Sequence, residues 1–337
     1  MSVSKKEWGD YCGYKIYLYT IKSKEILVNI TNYGAALVNI FTPDKNGNID
    51  DIILGYDDLA GYINGKTFQG ATIGRYANRI GGSVFKLYDV IYNLPANDNG
   101  NCLHGGFFGY NNRIWEIGCI GENSVTMKYK SPDGECGFPG AVNIEVSFSV
   151  VNDNGLHIYY KAVPNSDTIL NLTNHSYFNL GGFDSGDVLD TDLIINADSY
   201  TPVDDKLIPT GEIRSVKGTP FDFTEIKKIG RDIKSGLIDG YDHNFVFSSN
   251  SEKMAYACHG KSGRTMEVFT DMPAIQLYTG NGLDETGKSG SKVNKFGGFC
   301  LETQFSPDTP NKNNFPTCVF KAGEEYNYFT KYIFGVK

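Results

Sequence analysis

No stretch of this sequence reaches the about 20 apolar residues that a membrane-crossing helix needs. There is no C-x-x-C pair either. The seven cysteines (Cys12, Cys102, Cys119, Cys136, Cys258, Cys300 and Cys318) are odd in number and scattered. That pattern argues against a disulfide framework or a zinc cluster and fits free thiols in a reducing compartment. The leading MSVSKKEWGDYCGYKIY has no apolar core of the signal-peptide kind. The N-x-S/T sequons at Asn29, Asn171 and Asn174 therefore carry no meaning if the chain stays inside the cell. Basic charge is in deficit, with 31 Lys and Arg against 39 Asp and Glu, a formal net charge of −8. A nucleic-acid binder needs a basic footprint, and so does a protein docking on anionic lipid. The expectation is a cytoplasmic protein with neither nucleic-acid nor membrane partners.

Helical periodicity is scarce as well. Only DDLAGYI (57–63) and FTEIKKIGRDI (223–233) read as short helices, the second with Thr224 as its cap and Asp222 nearby. Strand–helix alternation, which a parallel sheet requires, is missing. No linker, low-complexity tract or repeat divides the chain, so residues 1–337 read as one domain.

What the chain does have is aromatic residues and glycine, with 22 Tyr, 21 Phe and 39 Gly. Tyr and Phe favour strands, and glycine suits tight turns. Apolar and polar residues alternate in NIEVSFSV (143–150) and SVTMKYK (124–130). Further candidate strands are EILVNIT, ALVNIFT, DIILGY, LHIYYKAV, TILNLTNHSYF, DLIINADSY, HNFVF, RTMEVFT, AIQLYT and FCLETQF. Turn sequences such as DKNGN, NDNGN and SPDG separate them. These signs predict an all-β protein, a large antiparallel β-sandwich of two packed sheets with few short helices.

One stretch points elsewhere. TGNGLDETGKSG (279–290) places Gly282, Gly287, Lys288 and Ser289 at P-loop spacing. A P-loop must lead into a helix whose N-terminus helps hold the phosphates. Here GSKVNKFGG follows, and Asp284 and Glu285 would repel a phosphate chain. The spacing is read as accidental. GLDETGKSG is expected to be a glycine-rich surface loop, and Lys288 to be dispensable for activity.

The five histidines are His104, His157, His175, His243 and His259. Histidine suits proton transfer near neutral pH. If NLTNHSYFN (171–179) is extended, Asn171, Thr173, His175, Tyr177 and Asn179 form a polar row. A solvated strand face would carry Lys and Glu, whereas this row would hydrogen-bond a neutral polar ligand. In FCLETQF (299–305), Glu302 is a lone charge on a weakly polar face. A desolvated carboxylate has a raised pKa and serves better as a general base. Singly, both read as ordinary strand polarity. GRYANRI (74–80) sets Arg75 and Arg79 around Asn78. CLHGGF (102–107) puts His104 before two glycines, which would let backbone approach a ligand. YDHNF adds Asp242 and AIQLYTGN adds Gln276. Together Asn78, Arg79, His104, His175, Asp242, Gln276 and Glu302 fit a polyhydroxylated neutral ligand. No H-x-H or H-E-x-x-H spacing suggests a metal.

These segments carry a family likeness over nearly the whole chain. ITNYGAALVNIFTPDKNG (30–47), FQGATIGRYANRI (68–80), LHGG (103–106), SPDGECGFPG (131–140), LNLTNHSYFNLGG (170–182), GYDHNF (240–245), PAIQLYTGN (273–281) and GGFCLETQFSPD (297–308) resemble the aldose 1-epimerases, or galactose mutarotases. The resemblance implies a β-sandwich of the galactose mutarotase type that interconverts α and β anomers of free aldohexoses, galactose and glucose. It implies no metal and no organic cofactor, and it leaves monomer and homodimer equally open. Carried onto this chain, Glu302 matches the general base, His175 the general acid and His104 a second active-site histidine. Asn78, Arg79, Asp242 and Gln276 match sugar-contacting positions. The acid–base reading expects His175 protonated and Glu302 ionised. Two carboxylates, Glu302 and Asp242, would also suit a glycoside hydrolase. A relative acting on hexose 6-phosphates would need basic residues that no sequence cluster supplies, and a silent sugar binder would need no acid–base pair.

Overall fold

Alternation of residue type decides the architecture. In the strand Val142–Val151, Val142, Ile144, Val146, Phe148 and Val150 are buried while the residues between them are not. We describe a computed structural model in which residues 1–248 and 253–337 are defined. The largest sheet has nine strands, in the order Glu116–Ile120, Ser124–Ser131, Val142–Val151, Gly155–Pro164, Tyr326–Val336, Arg264–Thr270, Ala255–Cys258, Asp192–Ile195 and Lys227–Lys228. A five-stranded sheet follows the order Arg214–Ser215, Ser199–Thr201, Asp242–Val246, Ala274–Tyr278 and Cys300–Gln304. The N-terminal 51 residues form a five-stranded meander from Ser2–Tyr11 to Ile49–Asp51. Neighbouring strands in these sheets run antiparallel.

The sheets face one another across one apolar core. It joins Val28 and Ile30 of the meander, Val146 and Ile158 of the nine-stranded sheet, and Ile275 and Leu301 of the smaller sheet. Each such side chain, fully buried, contributes about 1.5–3 kcal/mol. Where the smaller sheet meets Tyr326–Val336, the hydroxyls of Thr303 and Thr330 bond each other. Tyr332 Oη donates to the Leu301 carbonyl at 3.3 Å. One face of Cys300–Gln304 is thereby fixed against the core, and the opposite face carries Glu302.

Several local expectations need correction. The helix expected over 223–233 is confined to Gly230–Lys234, and Lys227–Lys228 instead pairs as a strand with Asp192–Leu193. Thr224 caps no helix; its hydroxyl donates to Asp222. The other short helix lies at Leu59–Asn64, capped by the Asp58 side chain. The segment 168–179 forms only two short strands, Thr168–Ile169 and Thr173–Asn174, and all of it is buried. DIILGY likewise leaves the strand after Asp51. The long first hairpin and the C-terminal strand Tyr326–Val336 were not foreseen, although burial alternates along the latter from Thr330 to Phe334. Among the described residues no helix is long and apolar enough to cross a membrane.

Candidate active site

Strand register builds the floor of the site. Asn244 stands opposite Gln276, and Gln276 opposite Glu302. Asp242, Tyr278 and Cys300 are likewise in line, two residues along and on the same face. Directly opposed residues share a sheet face. His243 consequently points away, its ring packed 4.4 Å from that of Phe221.

Loops supply the walls. Arg79–Ile80 pairs with Cys102–Leu103, which brings Asn78 beside His104. The Asn78 amide donates to His104 Nδ1 at 3.1 Å, and the His104 amide donates to the Asn78 carbonyl at 3.1 Å. Nδ1 is therefore an acceptor, and the ring's proton sits on Nε2. The His175 carbonyl accepts from the Gly70 amide and its own amide donates to Ala71 O, both at 2.9 Å. These bonds hold His175 against the segment 66–71. The rings of His104 and His175 lie 5.1 Å apart, with Phe68 4.8 Å from the first and 5.8 Å from the second. Phe68, Asn78 and His104 all have positive φ, at 59°, 66° and 53°. Such backbone costs about 1–3 kcal/mol for each residue and clusters at functional sites.

The result is a cavity of about 160 Å³ lined by Asn78, Arg79, His104, His175, Asp242 and Glu302, with Phe68, Tyr177 and Tyr278 among its other walls. Six of the seven residues singled out in the sequence meet here. The seventh, Gln276, lies beside it: its Nε2 donates to Asp242 Oδ1 at 2.6 Å. Asp242 Oδ2 also lies 3.5 Å from Arg79 Nη1, and Arg79 Nε donates to Asp98 at 2.7 Å. Arg75 is elsewhere, buried and bonded to the carbonyls of Pro139 and Gly140. The polar row expected along 171–179 does not form. Asn171 and Asn179 bond backbone groups of neighbouring loops, and only His175 and Tyr177 reach the cavity. The glycine after His104 serves the fold: a Cβ at Gly105 would lie 2.2 Å from the Gly74 carbonyl oxygen. Phe68 and Tyr278 sit inside segments quoted above but were not singled out. Lys66 and Thr67, also in the wall, lie outside those segments.

Electrostatics set the chemistry. His175 Nε2 stands 3.7 Å from Glu302 Oε1, and both side chains are almost wholly buried. Glu302 Oε2 has no hydrogen-bond partner among the described residues. Burial, helped by the charge of Asp242, pushes the Glu302 carboxyl well above its usual range, against the opposing pull of Arg79. Burial lowers His175 to about 4. Burial, then His175 and Arg79, drive His104 well down. Burial thus opposes the protonated His175 and ionised Glu302 expected of the active form. One proton belongs to the pair, and desolvation places it on the carboxyl, where neither group is charged.

Three other hollows are larger, about 1010, 840 and 290 Å³. In the first Asp232 pairs with Lys227, and in the second Arg264 bonds the carbonyls of Leu180 and Thr42. Chemistry selects the smaller one. Sequence spacing gave no hint of a metal site, yet the fold gathers His104, His175 and Glu302 with ligand atoms within 4.8 Å of one another. Tetrahedral zinc, with bonds of about 2.1 Å, sets its ligands about 3.4 Å apart. The trio would have to close in to hold one, and the metal would then occupy the atoms that share the proton.

Comparison with known proteins identifies the family. The family model described as aldose 1-epimerase matches residues 17–333. A galactose mutarotase of Rattus norvegicus is 40% identical over 343 aligned positions, covering 100% of this chain and 99% of its own. An aldose 1-epimerase of Escherichia coli K12 is 34% identical, covering 96% of each. The crystal structure of an aldose epimerase homologue from C. elegans superposes with a TM-score of 0.90 at 31% identity, over 95% of this chain and 98% of that one. The chain belongs to the aldose 1-epimerase family.

Proposed function

We propose that this enzyme interconverts the α and β anomers of free aldohexoses, galactose and glucose among them, by passing protons between the sugar and the Glu302–His175 pair. The carrying observation is the 3.7 Å approach of His175 Nε2 to Glu302 Oε1 inside a desolvated cavity. With the cyclic sugar bound the pair's proton sits on His175, and the ionised Glu302 takes the proton of the O1 hydroxyl as C1=O1 forms. The C1–O5 bond breaks, and O5 takes a proton from His175. Rotation about C1–C2 turns the other carbonyl face to O5, and the steps run backwards to the opposite anomer. Ring opening moves the pair's proton from histidine to carboxyl and closure returns it, so the cycle needs no net proton and no cofactor. The resting placement, on Glu302, is that of the open-chain stage.

His104 Nε2–H, Asn78, Arg79 and Asp242 are read as donors and acceptors for the sugar hydroxyls, with Gln276 orienting Asp242. That use of Asp242 speaks against a hydrolase, because its carboxylate is held by Gln276 and Arg79. The purified enzyme is expected to speed anomer exchange of galactose in saturation-transfer NMR and to release nothing from a chromogenic galactoside. Release of the chromophore without faster exchange would overturn the assignment. One core from Tyr19 to Phe334 supports a single catalytic domain. Seven free cysteines, four of them buried, support a cytoplasmic setting.

The pair also fixes the pH profile. Activity requires one proton on the two groups. A second is added as pH falls through the His175 value of about 4, and the only one is lost as pH rises through the elevated Glu302 value. The profile of kcat/KM is expected to be bell-shaped, falling about tenfold per unit below about pH 4 and again above the elevated Glu302 value. Asp242→Asn removes a charge that raises Glu302, so its alkaline limb should move to lower pH. An alkaline limb that stays in place in that variant would show that Asp242 does not act on Glu302.

A further inference from the structure

The P-loop look-alike contains a carboxylate with a different task. Glu285 opens a small hairpin, Glu285–Thr286 paired with Lys292–Val293. Its Oε1 accepts from Thr67 Oγ1 at 2.6 Å and from Gln69 Nε2, and its Oε2 accepts from Tyr56 Oη at 2.6 Å. Only an ionised carboxylate offers two oxygens and no donor to three donors at once. Bonds to a charged acceptor are also about twice as strong as neutral ones. Two of the three donors flank Phe68, the residue whose ring packs on both cavity histidines. Phe68 holds a left-handed conformation, φ 59°, which a free loop would leave. Burial raises the Tyr56 hydroxyl pKa, so it stays protonated and keeps donating.

We propose that Glu285 is a positioning residue for the sugar site: by clamping Thr67 and Gln69 it holds Phe68 against His104 and His175 and so shapes the cavity wall. This rests on the reading of that cavity as the sugar site. The clamp reaches from a hairpin far along the chain to a loop with no regular structure of its own, which explains how that wall stays fixed. Glu285 touches no reacting atom in this scheme and acts through Phe68.

The test is a double-mutant cycle read in KM, which a smaller folded fraction would leave unchanged. Glu285→Ala is expected to raise KM for galactose about tenfold, and Phe68→Ala by a similar factor. The double variant should be no worse than Phe68→Ala alone, since the clamp would have nothing left to hold. Glu285→Gln keeps one acceptor oxygen and should recover most of the loss. If Glu285→Ala does not fold, Tyr56→Phe removes one of the three bonds and should raise KM about twofold to threefold. Losses that multiply in the double variant, or an unchanged KM in Glu285→Ala, overturn the clamp alone. An unchanged KM in Phe68→Ala overturns both the clamp and the reading of the cavity as the sugar site.

Discussion

Glu302→Gln is expected to lower kcat for anomer exchange by about 10²–10⁴-fold, the range a positioned acid or base supplies. The amide keeps the shape of the side chain and loses only its ability to take and return a proton. Since Glu302 is buried on a strand backed by the core, the substitution leaves the cavity walls in place. KM should therefore change much less than kcat. His175→Ala is expected to fall in the same range. The two side chains pass one proton between them, so the double variant should be hardly slower than the worse single one. His104→Ala should cost less, because that ring donates a hydrogen bond and need not exchange its proton. Polarimetry on freshly dissolved α-galactose gives all four rates, with the spontaneous reaction as the floor. Near wild-type rates in both Glu302→Gln and His175→Ala would remove the pair from the mechanism.

The sequence made some of this legible and hid the rest for identifiable reasons. The alternation around Glu302 survives in the structure because Leu301 and Thr303 face the core, and that leaves Cys300, Glu302 and Gln304 on the other side. The same logic put Gln276 on a strand, whereas its pairing with the strand of Asp242 emerges only in the structure. It failed for 171–179, where most of the backbone bonds to loops instead of a long ladder: the His175 amide, for example, donates to the Ala71 carbonyl at 2.9 Å. There the asparagines are structural, and His175 and Tyr177 alone of the row reach the cavity. The helix over 223–233 was lost to tertiary pairing, as Lys227 turns inward to Asp232 and the Pro220 carbonyl. The protonation of the pair could not be read at all. A raised carboxyl was expected from isolation on a strand, but the matching fall of His175 depends on burial that only the assembled walls provide. Phe68 and Glu285 escaped notice because an aromatic ring in a loop and an acid in a hairpin look ordinary until the contact between their segments is seen.

The second large effect concerns stability and comes from the residue expected to be dispensable. Lys288 does not lie in a surface loop. It is buried, its Nζ donating to Asp51 Oδ2 at 2.6 Å and to the Ile53 carbonyl at 2.8 Å. Gly55 leaves it room, for a Cβ there would stand 2.8 Å from Lys288 Cε. Burial pulls the lysine below its ordinary pKa and Asp51 opposes that pull. Removing one member of a buried ion pair strands the other and typically costs about 3–5 kcal/mol. The two members are not equivalent. Without Lys288, Asp51 still accepts from Asn39 Nδ2 at 2.6 Å and from the Ile40 amide at 3.0 Å. Without Asp51, the ammonium keeps only the Ile53 carbonyl. Lys288→Met should therefore sit near the lower figure and Asp51→Ala near the upper, read from urea midpoints at constant slope. Lys288→Met combined with Asp51→Asn should cost less than the sum, because no buried charge remains unpaired. Turnover per folded molecule should stay within a few-fold of wild type in Lys288→Met, since neither partner lines the cavity. Loss of kcat on the scale of Glu302→Gln in a variant that still unfolds like wild type would instead place Lys288 in the chemistry, and the buried ion pair gives no route for that.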